Sequence, residues 1–491
     1  MRQDTITASL AEGAAAGVNG DENERRGDLK VLEAAHAAWS AWSGLRRRRK
    51  RNKDFTYGRQ WGDITRDASG FPVTEGELSS SCGKEPLTNN LLRQLVKCVV
   101  GRFRKSIDDE KKNGGDDYAA NCVDEIDSRA LEEFLISGCC VQRVEWADPL
   151  DGGGVSVSNV NVNRFFANRM EDPRGRDCEI AGCLHDMRLS EIIRLLADGN
   201  PARARRIKSV YSHMRGTYCA EAAGGDNLAD DGFWRAEGGK CRAIEVWTLE
   251  LSEMIMCHDC ENATAWLEPT GHSARLNAEN AARQAAAREP IMAQWTVVKV
   301  WHCRWFAPDG TLLRHFTSPF GHRSHPFVFK LYPLTDGEVH SFIEDVIDQQ
   351  KYVNRMVSVL DHILNASAKG VLLFPEGSLP AGYTWEKLRA VWSSSNGVIP
   401  FVPDASGAMP TQVVSKAADA GAYQLLQTQM KLIEQISGVT SVLSGQGGSY
   451  QGATVYEKQL ENADTSLADI YGAFATFRAG RDAKAAALRR Q

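Results

Sequence analysis

Apolar residues recur at helical spacing from Asp28 to about Lys50, where Leu32, Ala35, His36, Trp39, Trp42 and Leu45 share one stripe. Leu91, Leu92, Leu95, Val96, Val99 and Phe103 form a second stripe. Cys122, Val123, Ile126, Ala130, Phe134 and Leu135 form a third, which Gly138 is suited to end. The pattern then turns to β. Val141–Trp146, Val155–Val162, Ile244–Leu251 and Trp295–Phe306 are rich in β-branched and aromatic residues, and Asp309-Gly310 predicts a hairpin turn into Thr311–Phe316. Helices are predicted near Leu189–Ala197 and Ala278–Arg288, with basic residues Arg203–Lys208 between strands. Residues 28–335 thus read as mixed α+β, preceded by an arm over 1–27 with no sustained period and an expected mobility.

Beyond Pro333 the elements lengthen. Ser341-Phe342-Ile343-Glu344 has the form of a capping box, and Ile343, Val346, Ile347, Val353, Met356, Val357, Leu360, Ile363 and Leu364 make a stripe to about Ser367. At 1.5 Å per residue this helix would extend about 40 Å. From Gly370 to about Val414, five prolines separate short apolar runs, which predicts a compact insert of short strands and no helix. A second helix over about Ala417–Ser437 carries Tyr423, Leu426, Met430, Ile433 and Ile436 and stops at Gly438. No charged residue occurs from Gln435 to Tyr456, and Ser444–Gly452 has loop composition. Tyr456, Leu460, Ala463, Leu467, Ile470, Phe474 and Phe477 then alternate by four and three, a seam suited to packing on a neighbouring helix.

Composition narrows the function classes. The net charge is −5, from 58 Lys and Arg against 63 Asp and Glu, which argues against a tight static grip on nucleic acid. No apolar run approaches the roughly 20 residues that span a bilayer, and no secretory signal is read at the N-terminus, so a cytosolic history is expected. The 12 cysteines are scattered and do not form a disulfide framework. Cys257-His258-Asp259-Cys260, with Cys178, Cys183 and His185, offers metal-ligand chemistry, but no second C-x-x-C accompanies it, and neither metal nor cofactor is expected. The run from Arg46 to Arg51 is a candidate phosphate contact or a solvated face. Trp295, Trp301 and Trp305 share one strand face, as a packed surface or a base-stacking platform. Asp116-Asp117, Asp230-Asp231 and Glu344-Asp345 are paired carboxylates available for acid–base work, although none lies in a segment that signals a cleft. The glycine loop lacks the Lys-Ser/Thr ending of a P-loop, and no H-E-x-x-H or G-x-S-x-G occurs. No enzymatic activity is expected.

Four segments carry a resemblance, in order. Tyr57-Gly58-Arg59-Gln60-Trp61, Pro86-Leu87-Thr88-Asn89-Asn90, Asp348–Arg355 with Ser367–Val371, and Ile436–Val439 with Leu443-Ser444-Gly445 resemble segments of the portal (connector) proteins of tailed bacteriophages. The resemblance runs from about 55 to about 480. It implies an α+β portal fold: an arm over 1–27, a mixed wing over 28–335, a first stem helix over 336–369, a small β-rich clip over 370–415, a second stem helix over 416–437, a tunnel loop over 438–453 and an α-helical crown over 454–491. The short stretch after Phe477 implies a short crown.

It also implies a homo-oligomeric ring of about twelve chains at one capsid vertex of the virion, assembled in the host cytoplasm without membrane. Double-stranded DNA would pass through during packaging and ejection. The terminase large subunit, a head–tail adaptor and the major capsid protein or scaffold would be partners. Gly445, Gln446, Gly447, Gly448, Ser449, Tyr450 and Gln451 would touch DNA without strong phosphate affinity. Lys351, Arg355, Ser358 and His362 would face the channel or an adjacent subunit, while Val353 and Leu360 would pack the stem. Tyr456, Leu460, Leu467, Ile470, Phe474 and Phe477 would build the crown. Two other readings compete: a multidomain carbohydrate-acting enzyme using paired carboxylates, and a monomeric adaptor or scaffold. Neither gives a reason for three long helices joined by a proline-rich insert and an uncharged loop.

Overall fold

The computed structural model describes residues 26–113, 120–147, 153–214, 232–236, 238–367, 371–393, 398–403, 409–413, 419–439 and 465–490. In chain order the elements are α1 (residues 26–41), α2 (Ser43–Thr56), β1 (Ile64–Arg66), β2 (Pro72–Thr74), α3 (Glu75–Ser81), α4 (Leu91–Asn113), α5 (Val123–Ser137), β3 (Cys139–Trp146), β4 (Val155–Asn159), β5 (Phe165–Ala167) and β6 (Ile180–Met187). There follow α6 (Leu189–Ala197), α7 (Pro201–Met214), β7 (Cys241–Asp259), β8 (Thr264–Pro269), α8 (Ser273–Ala285), β9 (Met292–Phe306), β10 (Leu312–Thr317), β11 (Phe327–Leu331), β12 (Leu334–Thr335) and β13 (Glu338–Val339). The last are α9 (Glu344–Ser367), β14 (Val371–Leu373), α10 (Trp385–Ser393), β15 (Thr411–Val413), α11 (Asp419–Ser437) and α12 (Ala468–Arg489). The chain divides into two compact units, one holding residues up to Lys50, Arg102–Ser341 and Ala468 onward, the other Arg51–Gly101 and Phe342–Leu467.

The first unit is built on antiparallel sheets. Strands run in the order β10-β9-β7-β6-β5, with β8 on the far end of β7, while β11-β3-β4 form a second sheet. β7 and β9 pair without a break from Ile244↔Phe306 to His258↔Met292. Trp42, Phe165, Trp247, Trp305 and Phe327 belong to one buried cluster that joins the sheets, and Trp42 Nε1 donates to Ala167 O at 2.9 Å. α5 ends where expected: Gly138 has φ +69°, and an added Cβ would stand 2.5 Å from Val339 Cγ1. A side chain there is excluded by space as well as by backbone.

The second unit has little sheet. β1 pairs with β2, β14 pairs with β15 in the register Val371↔Val413, and α9 packs on α11. Thr74 and Glu77 close a reciprocal capping box at the start of α3, at 3.2 and 2.9 Å. α9 follows its predicted stripe: Ile343, Val346, Ile347 and Val353 are buried and Met356, Val357, Leu360 and Ile363 half-buried.

Several expectations need correction. The insert after α9 contains a helix, α10, because Thr384 accepts the Lys387 amide at 3.3 Å as a cap and Leu388 supplies a buried anchor. Arg203–Lys208 lies within α7, where Ile207 and Tyr211, one helical turn apart, are both buried. β6 and β11 were not anticipated: β6 is buried along most of its length and adjacent Phe327 and Val328 of β11 are both buried, which hides the alternation by which strands are recognised. The three tryptophans of β9 share a face, as expected. Trp301 and Trp305 are 8% and 3% exposed, but Trp295, beyond the core, is 60% exposed.

Candidate functional site

Three of the four sequence segments that carry the resemblance meet in one buried polar network of the second unit. α9 sets Gln350, Asn354 and Ser358 four residues apart, so their side chains lie one above another on one face. All three are buried. Gln350 Oε1 accepts the amides of Leu91 at 3.0 Å and Leu92 at 3.3 Å, capping donors that α4 cannot satisfy by itself. Its Nε2 donates to Asn89 O at 2.6 Å and to Asn354 Oδ1 at 2.9 Å.

Asn354 continues the chain of bonds. Its Oδ1 accepts the Asn89 amide at 3.0 Å and its Nδ2 donates to Gln60 Oε1 at 2.6 Å. Gln60 Nε2 donates in turn to Phe55 O at 2.7 Å and Asn90 Oδ1 at 3.0 Å. Asn90 caps α4 through the Arg93 amide at 3.1 Å and donates to Thr56 O at 2.9 Å. One turn further along α9, Ser358 Oγ accepts the Leu87 amide at 3.0 Å. Gly58, at φ +93°, lets the chain turn between α2 and Gln60.

An ion cluster lies beside this network. Lys351 Nζ stands 2.8 Å from Asp63 Oδ2 and 2.6 Å from Glu75 Oε1, Arg355 reaches Glu75 at 3.0 Å, and Arg51 reaches Asp63 at 2.9 Å. Burial disfavours the Asp63 carboxylate, but Arg51 and Lys351 outweigh it and hold its pKa below the ordinary range. Lys351 and Ser358 are therefore engaged within their own unit, Arg355 is exposed beyond its carboxylate, and His362 is exposed.

In the first unit α12 is fastened to the sheet. Phe474 packs against Phe103, Phe134 and Phe477 with ring centroids 5.3, 6.0 and 5.5 Å apart. Asp127, fully buried, pairs with Arg478 at 3.0 Å and with Arg481, and accepts Gln142 Nε2 at 3.1 Å. Lys484 Nζ donates to His325 O and Phe327 O at 2.6 and 2.7 Å, and burial pulls its pKa down to about 7. Of the proposed seam, Phe474 and Phe477 turn into this packing, Leu467 is buried and Ile470 half-buried. Tyr456 and Leu460 lie outside the described residues, as do all seven loop positions Gly445, Gln446, Gly447, Gly448, Ser449, Tyr450 and Gln451.

The basic run is largely spent on the chain itself. Arg46 stacks on Trp39 at 3.7 Å, Arg48 donates to Val339 O at 2.9 Å and Arg49 holds Glu133 in a two-point bond at 2.5 and 2.7 Å. A second buried charge set joins the two sheets: Glu245 Oε2 on β7 contacts Arg143 Nη1 on β3 at 2.6 Å and His185 Nε2 at 2.8 Å, and Oε1 accepts Trp247 Nε1 at 2.8 Å. Burial favours the neutral acid, yet Arg143 and His185 outweigh it and hold Glu245 at about 2. Burial likewise opposes the imidazolium, but Cys183 and Glu245 lift His185 to about 9.

Candidates for chemistry stay apart. Asp116-Asp117 and Asp230-Asp231 lie outside the described residues, and Glu344 accepts Asn52 Nδ2 at 2.9 Å. The described cysteines are free, and no three His, Cys, Asp or Glu side chains among the described residues converge as for a metal. Sequence reading missed Asp127, Gln142 and Glu245. For Gln142 and Glu245 the signal available was a polar residue inside an apolar run, and for Asp127 its place on the α5 stripe, four residues after Val123 and three before Ala130; each marks a buried partner without naming it.

These constellations join backbone segments of the chain to one another. Residues 32–480 match the family described as phage P22-like portal protein, and the chain belongs to that family. The family is structural and not enzymatic, and membership implies a homo-oligomeric ring at a capsid vertex of the virion, with DNA and capsid as partners. No curated protein matches the chain. No described helix is long and apolar enough to cross a membrane.

Proposed function

We propose that about twelve copies close into a ring whose axis is the channel for packaging and ejection of double-stranded DNA. The observation that carries this is α11: Tyr423 and Met430 on one flank and Leu425 and Ile436 on the other are exposed at 57, 39, 39 and 44% although α11 packs on α9. A helix that spends four large apolar residues on solvent has a second neighbour to find, and a heterologous contact repeated by rotation supplies one. In this reading α9 and α11 are the stem, residues 370–415 the clip, 28–335 the wing and 454–491 the crown. The clip is the docking element for the terminase large subunit and later for a head–tail adaptor, and the wing meets capsid protein or scaffold. The uncharged loop over 438–453 meets DNA without gripping it, since few phosphates are neutralised where no Lys or Arg is present.

Native mass measurement with negative-stain imaging tests the ring. A closed assembly of about twelve chains is expected; a persistent monomer at high concentration overturns it in favour of a monomeric adaptor. Deleting Gly445–Gly452 should leave rings intact and reduce packaging. Normal packaging by that variant removes the loop from the channel.

A further inference from the structure

Two histidines with no part in the portal assignment face each other across neighbouring strands. His302 lies on β9 opposite Thr317 of β10, and His315 lies two residues from Thr317 on the same face. His302 Nδ1 stands 3.3 Å from His315 Nε2, with the ring planes 24° apart. The other nitrogen of His302, Nε2, is 3.1 Å from Ser252 Oγ on β7. Three adjacent strands thus set the pair.

The geometry has a chemical meaning. Two imidazole nitrogens bound to one tetrahedral ion, each at about 2.0–2.1 Å, stand about 3.3 Å apart. The spacing here needs no strand movement to admit such an ion. If Ser252 accepts the Nε2 proton, His302 keeps its Nδ1 lone pair directed toward His315, the orienting role that an outer hydrogen bond plays at metal sites. Arg304, directly across the strands from His315, is itself held by Glu250 and Asp28.

We infer that His302 and His315 form an interstrand site for one divalent transition ion of the zinc class, its remaining positions filled by water. Ser252 is a positioning residue, and the ion would tie β10 to β9 in the first unit. His315 is exposed, so ligand and ion reach it from solvent.

Titration of the tag-free full-length chain with zinc chloride, followed by calorimetry and by thermal unfolding, tests this. About one ion per chain and a raised Tm are expected. His302→Ala and His315→Ala should each weaken binding by about tenfold or more and abolish the Tm gain, and Ser252→Ala should weaken it by about tenfold. His315→Ala is an exposed substitution that leaves the unliganded Tm unchanged, which separates lost binding from lost folding. Cys260→Ala, removing an exposed thiol elsewhere, should bind as the parent does. Absence of binding by the parent, unchanged binding by His315→Ala, or loss of binding in Cys260→Ala each overturns the site.

Discussion

Asn354 Nδ2 donates to Gln60 Oε1 at 2.6 Å, joining the long helix α9 to a residue 294 positions earlier in the chain. Both side chains are 1% exposed, and each also holds backbone groups: Gln60 the Phe55 carbonyl, Asn354 the Asn89 amide. Water cannot replace either partner at such burial, so the bond is held by what its loss would strand. Asn354→Leu should therefore destabilise the second unit by roughly 2–3 kcal/mol, read as a lower denaturation midpoint at unchanged slope. Stability within about 0.5 kcal/mol of the parent would show that the network is not what fixes α9.

Asp127 is the corresponding point in the first unit. Replacing it with Asn leaves the Arg481 guanidinium, 2% exposed, with only the exposed Asp482, at 2.9 Å, as a charge partner. Breaking a buried pair from one side costs about 3–5 kcal/mol, whereas replacing both partners with apolar residues costs far less. Limited proteolysis reads the effect locally: Asp127→Asn should expose α12 to cleavage, and Asp127→Leu combined with Arg481→Met should restore part of its protection. Equal resistance of all three forms would mean that the phenylalanines alone hold the helix.

How much of this was legible follows from the kind of order each residue carries. The long helices read plainly because apolar stripes at 3.6 spacing survive without knowledge of any partner, as Ile343, Val346, Ile347 and Val353 do. Gln60, Asn90 and Gln350 stood out as segments in family order, but Gln350 bonds Asn89 and Leu91 from 261 and 259 positions away and Gln60 bonds Asn90 from 30, and no local pattern encodes partners at such separations. Lys351 looked like a surface cation for the same reason, since Asp63 and Glu75 are remote in sequence. β6 and the start of β11, buried on both faces, lack the alternation that would have marked them. α10 was hidden by the prolines around it, although Thr384 is an ordinary cap.

The Glu245 set predicts a pH window for the first unit. Glu245, held at about 2 from an ordinary 4.5, contributes stability that is present above about 4.5 and lost as pH falls toward 2. His185, lifted to about 9 from an ordinary 6.5, contributes stability that is complete below about 6.5 and lost as pH rises toward 9. The Tm should thus be highest between about 4.5 and 6.5 as far as this pair decides it. Glu245→Gln should lower the Tm throughout, because Arg143 loses its buried partner, and should flatten the alkaline slope. A Tm profile of unchanged shape in Glu245→Gln would remove the pair from control of stability.

Assembly and folding can be separated on the helices by burial alone. Leu467 is 1% exposed in the single chain, so Leu467→Asp damages the chain before any ring is considered. Ile470 is half-buried and mixes the two effects. Met430 and Ile436 of α11 are 39 and 44% exposed, so Met430→Glu and Ile436→Lys should change monomer stability by no more than about 0.5 kcal/mol. Within a ring the same charges would enter a packed apolar contact at every interface, at a cost repeated about twelve times around the closed assembly. Native mass measurement should find the parent as rings and both variants as soluble monomers with the parent's monomer Tm. Intact rings from both would move the interface off these two flanks of α11, and monomers with a lowered Tm would mean that Met430 and Ile436 serve the fold of the chain itself.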